Sequence, residues 1–169
     1  TIMIIKPLII VMKKILPLLF TVLVINLVQG QTYKNLVRGY AYKNLKKALQ
    51  KPDEVRSLDL RNKKLKTFPM EILQFKNLEE LYLRNNQITE IPKEIGQLQN
   101  LTRLEFSVNQ LKKLPASIGN LKRLQVLRLP SNQLSEVPAS IGKLKKLRFL
   151  NLDDNQLASL PASFGNLKV

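Results

Sequence analysis

The side chains of this sequence that could do chemistry are acidic residues, lysines, serines and tyrosines, because its 169 residues include no histidine and no cysteine. The chain therefore has no thiol nucleophile, no imidazole base and no zinc site built on these residues. Its acidic pairs, Glu79-Glu80 and Asp153-Asp154, are chain neighbours whose side chains diverge on a strand. Asn151 beside the second pair lacks further oxygen ligands for calcium. We expect no enzymatic activity, no metal and no cofactor.

The charge of the chain is strongly positive, since 28 Lys and Arg against 12 Asp and Glu give a net charge of +16. Clustered positive charge attracts polyanions. Four basic residues recur at the same place in the sequence period and should share one edge: Lys122, Arg123, Lys145 and Lys146. We expect this edge to attract glycosaminoglycans or an anionic membrane surface. Nucleic acid is not expected, because aromatic residues do not alternate with the basic ones. Simple solubility is the alternative interpretation.

The elements that position these side chains are repeats of 23 residues, namely 55–77, 78–100, 101–123, 124–146 and 147–169. Positions 1, 4, 6, 11, 14, 18 and 21 of every repeat are Leu, Ile, Val or Phe. This periodicity predicts a buried face shared between repeats. Positions 4 and 6 alternate with polar neighbours, as in Leu81-Tyr82-Leu83, which predicts a short strand with one buried face.

Three further positions predict the turns of each repeat. Position 9 is asparagine in the last four repeats, namely Asn86, Asn109, Asn132 and Asn155. Stacked at equal intervals, these side chains should bond the backbone of successive turns as a ladder. Position 15 is always proline, which can start a short helical turn. Position 19 is glycine in the same four repeats, and it should end that turn or allow close packing.

This pattern resembles the leucine-rich repeat family, whose repeat reads LxxLxLxxNxLxxLPxxIGxLxx, over residues 55–169. The resemblance implies an α/β solenoid, in which a parallel β-sheet lines the concave side of an arc and short helical turns line the convex side. The run from Lys47 to Leu60 and the second repeat's IPKEIGQLQNL are similar to the secreted leucine-rich repeat proteins of leptospires. That similarity implies a role at the bacterial surface in contacts with host molecules.

The segments outside the repeats predict export and capping. Residues 1–30 are interpreted as a signal peptide, with Met12 as the expected true start, an apolar stretch over 15–28 and cleavage near Gly30. An uncleaved membrane anchor is the alternative. Residues 31–54 predict a helical N-terminal cap that Pro52 stops. Because no polar capping segment follows Val169, we expect a truncated C-terminus.

The strand positions that do not enter the core are expected to form the concave surface. Their mixed charge and aromatic residues suit protein recognition. The candidate contact residues are Glu80, Tyr82, Arg84, Arg103, Glu105, Arg128, Phe149, Asn151 and Asp153. The alternative is a solvated surface on which charges pair across strands, Glu105 with Arg128 or Arg84.

The sequence therefore predicts an exported, non-enzymatic and monomeric binding module, secreted or held at the cell surface. Its expected partner is a protein, including a host protein, bound through the concave face. An electrostatic adhesin that uses the Lys/Arg-rich edge is the alternative. A third interpretation is the recognition part of a longer protein.

Overall fold

The computed structural model describes residues 41–167. Within this range, five strands of three residues form one parallel sheet in chain order. The strands are β1 (Ser57–Asp59), β2 (Glu80–Tyr82), β3 (Arg103–Glu105), β4 (Val126–Arg128) and β5 (Phe149–Asn151). Each strand residue pairs with the residue 23 positions further along the chain. Equivalent positions of successive repeats therefore stand in straight columns.

A short 3₁₀ helix follows each strand, and the first four of these helices lead the chain to the next strand. These helices span Met70–Gln74, Lys93–Gln97, Ala116–Asn120, Ala139–Lys143 and Ala162–Asn166. A proline with extended backbone immediately precedes each helix, such as Pro92 with φ −66° and ψ 149°. The proline carbonyl accepts a hydrogen bond from the amide three residues later. The Pro92 carbonyl, for example, accepts from the Ile95 amide at 3.0 Å. The predicted helical turns on the side opposite the sheet are confirmed.

The hydrophobic core runs continuously through the repeats. Leu81, Leu104 and Leu127 at position 4, for example, have no solvent exposure. Full burial of a leucine side chain contributes roughly 2 kcal/mol to folding. In the last repeat the equivalent Leu150 is only half-buried, and Leu160 is 50% exposed. Among the described residues, these two side chains have a neighbouring turn on one side only.

The asparagines of position 9 form the predicted ladder. Asn109 donates from Nδ2 to the carbonyls of Leu83 at 2.9 Å and Phe106 at 3.1 Å. Its Oδ1 accepts the amide of Ile88 at 3.0 Å. Corresponding bonds link Asn86, Asn132 and Asn155 to their own and the preceding turn. Each buried amide is thereby satisfied, and successive turns are joined.

The glycines of position 19 serve close packing. Gly119 is the fourth of five residues in its 3₁₀ helix, so it does not end the turn. A Cβ built on it would lie 2.8 Å from the Cβ of Ser140 in the next repeat. Of the two roles expected for this glycine, the structure shows the second.

Only part of the expected N-terminal cap lies within the described residues. Helix α1 spans Leu45–Ala48, and the side chain of Asn44 accepts the amide of Lys47 at its start. A 3₁₀ helix over Pro52–Glu54 follows, so Pro52 begins a second turn after α1 has ended. The bridge between Tyr42 and Leu58 adds this segment to the edge of the sheet.

The predicted signal peptide, 1–30, and residues 31–40 of the cap lie outside the described residues. Every helix within 41–167 is too short to cross a bilayer.

Candidate functional site

The outward positions of the strands form two columns across the sheet. Repeat position 3 gives Ser57, Glu80, Arg103, Val126 and Phe149, and position 5 gives Asp59, Tyr82, Glu105, Arg128 and Asn151. We call this surface, with positions 7 and 8 that follow each strand, the sheet face. It is the concave side of the arc.

The sheet face brings together all nine residues predicted to contact a partner. Seven stand in the two columns, while Arg84 and Asp153 occupy position 7 beyond the strands. The backbone ladder continues there, since Asn62 donates its amide to the Arg84 carbonyl at 3.1 Å. Ser131 likewise donates to the Asp153 carbonyl at 2.9 Å. The backbone hydrogen bonds between repeats thus extend beyond the strands through position 7.

Tyr82 is a half-buried polar centre of the sheet face. Its hydroxyl donates to Glu80 Oε2 at 3.1 Å, and the same oxygen accepts from Ser57 Oγ at 3.1 Å. Burial raises the pKa of Tyr82 to about 12, and the negative charge of Glu80 adds to the rise. The phenol is therefore a neutral hydrogen-bonding and apolar contact at physiological pH.

Arg61 is fixed beside Tyr82 by Asp59. The carboxylate of Asp59 accepts from Arg61 Nε at 2.9 Å and from Nη2 at 2.7 Å. This charged hydrogen bond is the main reason why the pKa of Asp59 lies below its ordinary value. The guanidinium carbon also lies 5.4 Å from the centroid of the Tyr82 ring, within the range of a cation–π contact.

The opposite end of the sheet face presents an aromatic residue. The guanidinium carbon of Arg128 lies 5.0 Å from the ring centroid of Phe149, which is 43% exposed. Beside them, Asn151 donates to Asp153 Oδ2 at 2.9 Å and accepts the Asp153 amide at 3.0 Å.

The alternative expectation of charge pairing by Glu105 is not met. Among residues 41–167 no ion pair joins Glu105 to Arg128 or Arg84. Glu105 is only 7% exposed, while Arg128 leans on Phe149. Arg103 is half-buried in the other column.

Sequence reasoning missed a cleft at the start of the sheet face. A cavity of about 660 Å³ lies over the first two repeats. We call it the basic cleft, and it is lined by Lys43, Asp59, Arg61, Asn62, Lys63, Arg84, Asn85 and Val108. Only Arg84 had been selected from the sequence. The signal available was the Asp59-x-Arg61 spacing, which places a carboxylate and a guanidinium two residues apart on one strand face.

Position 8 has an unusual backbone in every repeat. Asn62, Asn85, Val108, Ser131 and Asp154 all have φ between 52° and 60°. Asparagine and aspartate tolerate this left-handed region, but a β-branched side chain is strained there. Val108 nevertheless occupies this position in the third repeat, and 41% of its surface is exposed at the edge of the basic cleft.

The Lys/Arg-rich edge lies away from the sheet face, in the turns that follow the 3₁₀ helices. Lys122, Arg123, Lys145 and Lys146 are all exposed there, on two successive turns. Lys122 Nζ donates to the Gly119 carbonyl at 2.7 Å. All four side chains are therefore accessible to an external anion.

A parallel sheet with 3₁₀ helices behind it and an asparagine ladder within it defines a leucine-rich repeat solenoid. The family model described as "Leucine-rich repeat region" matches residues 3–127 and 104–169. The chain belongs to the leucine-rich repeat family. A comparison with curated proteins gave no significant match.

Solved structures give the same result. A leucine-rich repeat protein of Leptospira interrogans is 42% identical, with a TM-score of 0.60 over 76% of this chain and 40% of that chain. The ectodomain of an Arabidopsis thaliana membrane receptor kinase, solved in complex with CASPARIAN STRIP INTEGRITY FACTOR 2, is 36% identical. Its TM-score is 0.63 over 68% of this chain and 15% of that chain.

An internalin C2 of Listeria monocytogenes is 28% identical, with a TM-score of 0.64 over 78% of this chain and 57% of that chain. The chain thus spans about two fifths of the length of the Leptospira protein and a smaller share of the plant receptor.

Proposed function

We propose that this chain is an exported binding module that holds a protein partner on its sheet face. The observation that carries the proposal is the exposed Phe149 ring in contact with Arg128, on a sheet whose other side packs against the hydrophobic core. A few residues carry most of the binding energy in protein interfaces, and aromatic residues and arginine are enriched in such interfaces. Tyr82 offers a second anchor of this type on the same surface.

Rigid presentation supports this function. The core and the asparagine ladder fix the columns before any partner arrives, so little conformational entropy is lost on binding. The plant receptor ectodomain similar to this chain was solved in complex with CASPARIAN STRIP INTEGRITY FACTOR 2. By analogy, we propose an extracellular address for this chain and export by residues 1–30.

The test is to isolate a partner from an extracellular protein extract with the full chain, and then to measure its affinity for single variants. Tyr82→Ala, Arg128→Ala and Phe149→Ala should each weaken binding by about tenfold or more, because each removes an interface anchor. Arg128→Ala and Phe149→Ala should leave the melting temperature nearly unchanged, since these side chains are not part of the core. Tyr82→Ala should lower it, because Tyr82 is half-buried and bonded to Glu80, so its affinity is measured well below its melting temperature.

Matched controls lie on the helical side of the solenoid. Met70→Ala removes an exposed large apolar side chain, and Lys93→Ala removes an exposed cation. Both should bind like the unsubstituted chain. Unchanged affinity in all three sheet-face variants would reject the sheet face as the binding surface.

An electrostatic adhesin is the second candidate function. The observation that favours it is the cluster of four exposed cations on two successive turns, namely Lys122, Arg123, Lys145 and Lys146. A sulfated glycosaminoglycan or an anionic membrane surface would bind there, mainly through screened Coulomb attraction.

This second function is separated from the first by heparin chromatography. Replacement of the four cations by glutamate should abolish retention, whereas Phe149→Ala should not change it. Retention of the unsubstituted chain should fall steeply with salt. Retention that survives high salt would contradict the electrostatic mechanism.

A further inference from the structure

We propose that the basic cleft receives acidic side chains of the protein partner, and that it sets the orientation of that partner on the sheet face. This inference rests on the proposed function, since it assigns a chemical class to part of the same surface. It concerns the first two repeats, whereas Arg128 and Phe149 lie on the fourth and fifth.

The charges of the cleft are unbalanced. Its lining contains four cations, Lys43, Arg61, Lys63 and Arg84, and a single carboxylate, Asp59. Asp59 is occupied by Arg61 at 2.7 Å. Within the described part of the chain, the other three cations form no ion pair. All three are exposed and close to one cavity, so an external anion would be attracted by their combined charge.

The cleft is also preorganised. Asp59 and the ring of Tyr82 hold Arg61 in place from two sides. Asn85 Nδ2 donates to Asn62 Oδ1 at 2.7 Å, which joins the first two repeats beside the guanidinium groups. Guanidinium forks match the planar geometry of a carboxylate better than a lysine does.

Val108 gives the cleft an apolar margin at the cost of backbone strain. Its φ of 56° is held by the ladder, in which its amide donates to Pro130 at 2.9 Å and its carbonyl accepts from Asn86 at 3.2 Å. A strained, exposed valine at the margin of a charged cavity suits a partner whose acidic group adjoins an aliphatic one. Asn62 and Asn85 occupy the equivalent positions without this strain.

The far end of the same edge is acidic, which favours a protein segment over a long polyanion. Asp153 and Asp154 stand at positions 7 and 8 of the last repeat, and neither forms an ion pair among the described residues. A uniform polyanion laid along positions 7 and 8 would be repelled there. A peptide can carry acidic residues at one end and a basic residue at the other.

The spacing of the two charged ends sets the spacing expected in the ligand. Arg84 and Asp153 are three strands apart, or roughly 14 Å at the usual strand separation. An extended peptide covers that distance in about four residues. The preferred segment is therefore acidic at one end, aliphatic beside the acidic residue, and basic about four residues away.

The experiment selects peptides from a random displayed library on the immobilised full chain. Affinities of the enriched peptides are then measured by fluorescence anisotropy. We expect acidic residues to be enriched, and Arg84→Glu or Lys63→Glu to weaken the peptides by about tenfold or more. Lys93→Glu makes the same charge change on the helical side and should have no effect. Asp153→Lys should weaken peptides that carry the distant basic residue.

The outcomes separate this inference from the proposed function. Peptides that lose affinity with Phe149→Ala but show no acidic enrichment would overturn the cleft proposal and leave the proposed function standing. Acidic peptides that depend on Arg84 but not on Phe149 or Arg128 would support the cleft and count against those anchors.

Failure to enrich any peptide would overturn the cleft proposal, as would acidic peptides unaffected by Arg84→Glu. If no acidic peptide is selected and heparin fragments bind to the cleft, the cleft would be a glycan-binding site instead.

Discussion

The guanidinium carbon of Arg61 lies 5.4 Å from the centroid of the Tyr82 ring. Arg61, two residues beyond the end of β1, therefore packs over the last residue of β2. Asp59 holds the guanidinium in that position with hydrogen bonds of 2.9 and 2.7 Å. This small cluster joins the basic cleft to the aromatic part of the sheet face. At position 5, Asp59 and Tyr82 differ from their counterparts in every other repeat, whereas at position 7 the arginine of the first repeat recurs in the second as Arg84.

Tyr82 should give the protein a distinctive dependence on alkaline pH. Its pKa in the folded chain is raised to about 12 from an ordinary value of 10.0. A raised pKa means that the folded state favours the neutral phenol, so this stability is complete below pH 10 and is lost as pH rises toward 12. Urea unfolding of the unsubstituted chain and Tyr82→Phe should show a stability difference that changes over this interval.

An ultraviolet absorbance titration provides the direct check on the same residue. It should contain a late tyrosinate component that disappears in Tyr82→Phe. A Tyr82 that ionises at its ordinary pKa would contradict the burial and the bond to Glu80.

Asn109→Ala should be strongly destabilising. The substitution leaves the buried amide of Ile88 without its side-chain partner. It also removes one of the two asparagine donors from the carbonyls of Leu83 and Phe106, which keep their bonds from Asn86 and Asn132. The unsatisfied amide costs about 1–3 kcal/mol and each lost bond to a carbonyl about 0.5 to 1 kcal/mol, so we expect a loss of roughly 2–4 kcal/mol in the free energy of unfolding. Gln110→Ala, at the exposed neighbouring position, is the control and should change stability by less than about 0.5 kcal/mol. Equal losses of stability in Asn109→Ala and Gln110→Ala would argue against a stabilising role of the asparagine ladder.

Val108→Asn should stabilise the fold and weaken binding at the same time. Asparagine accepts a φ of 56° at a lower cost than valine, and relief of such strain is worth about 1 kcal/mol. Chemical denaturation measures the gain, and the selected acidic peptides measure the loss.

Val126→Asn, in strand β4, is the matched control and should destabilise, because valine suits a strand better than asparagine. A Val108→Asn chain that is less stable than the unsubstituted one would show that the valine is not strained.

Gly119→Ala should destabilise the solenoid by about 1–3 kcal/mol, because the new methyl group would overlap Ser140 of the next repeat. Gly165 occupies the equivalent position of the last repeat, and a Cβ there would meet nothing within 4 Å. Gly165→Ala should therefore be neutral or slightly stabilising, since alanine lowers the entropy of the unfolded chain. Thermal melts of the two variants compare the same substitution with and without a packed neighbour. Similar losses in both would mean that local backbone preference, and not close packing, fixes this glycine.

The repeat period determined the strand positions and their columns, and the resemblance to the leucine-rich repeat family added the parallel sheet and its concave side. Seven apolar positions repeated every 23 residues leave one arrangement that buries all of them, because a shift by one residue would expose a whole face. The strand positions, the asparagine ladder and the alignment of the nine candidate residues on one face follow from it. The ends of the N-terminal cap were less predictable, since α1 is only four residues long and depends on Asn44 and local packing.

Only the tertiary structure decided how the outward side chains pair. The alternative interpretation paired Glu105 with Arg128 or Arg84. In the structure Arg128 packs on Phe149, and Arg61 bonds to Asp59 two residues earlier in the chain. Exposed charge pairs differ by about 1 kcal/mol or less, so the choice among neighbours rests on local geometry that a sequence period does not encode. Burial of the apolar positions adds up over all the repeats, so a single arrangement of the core is stable. The surface side chains have many arrangements of similar free energy, and the tertiary structure decides which of them forms.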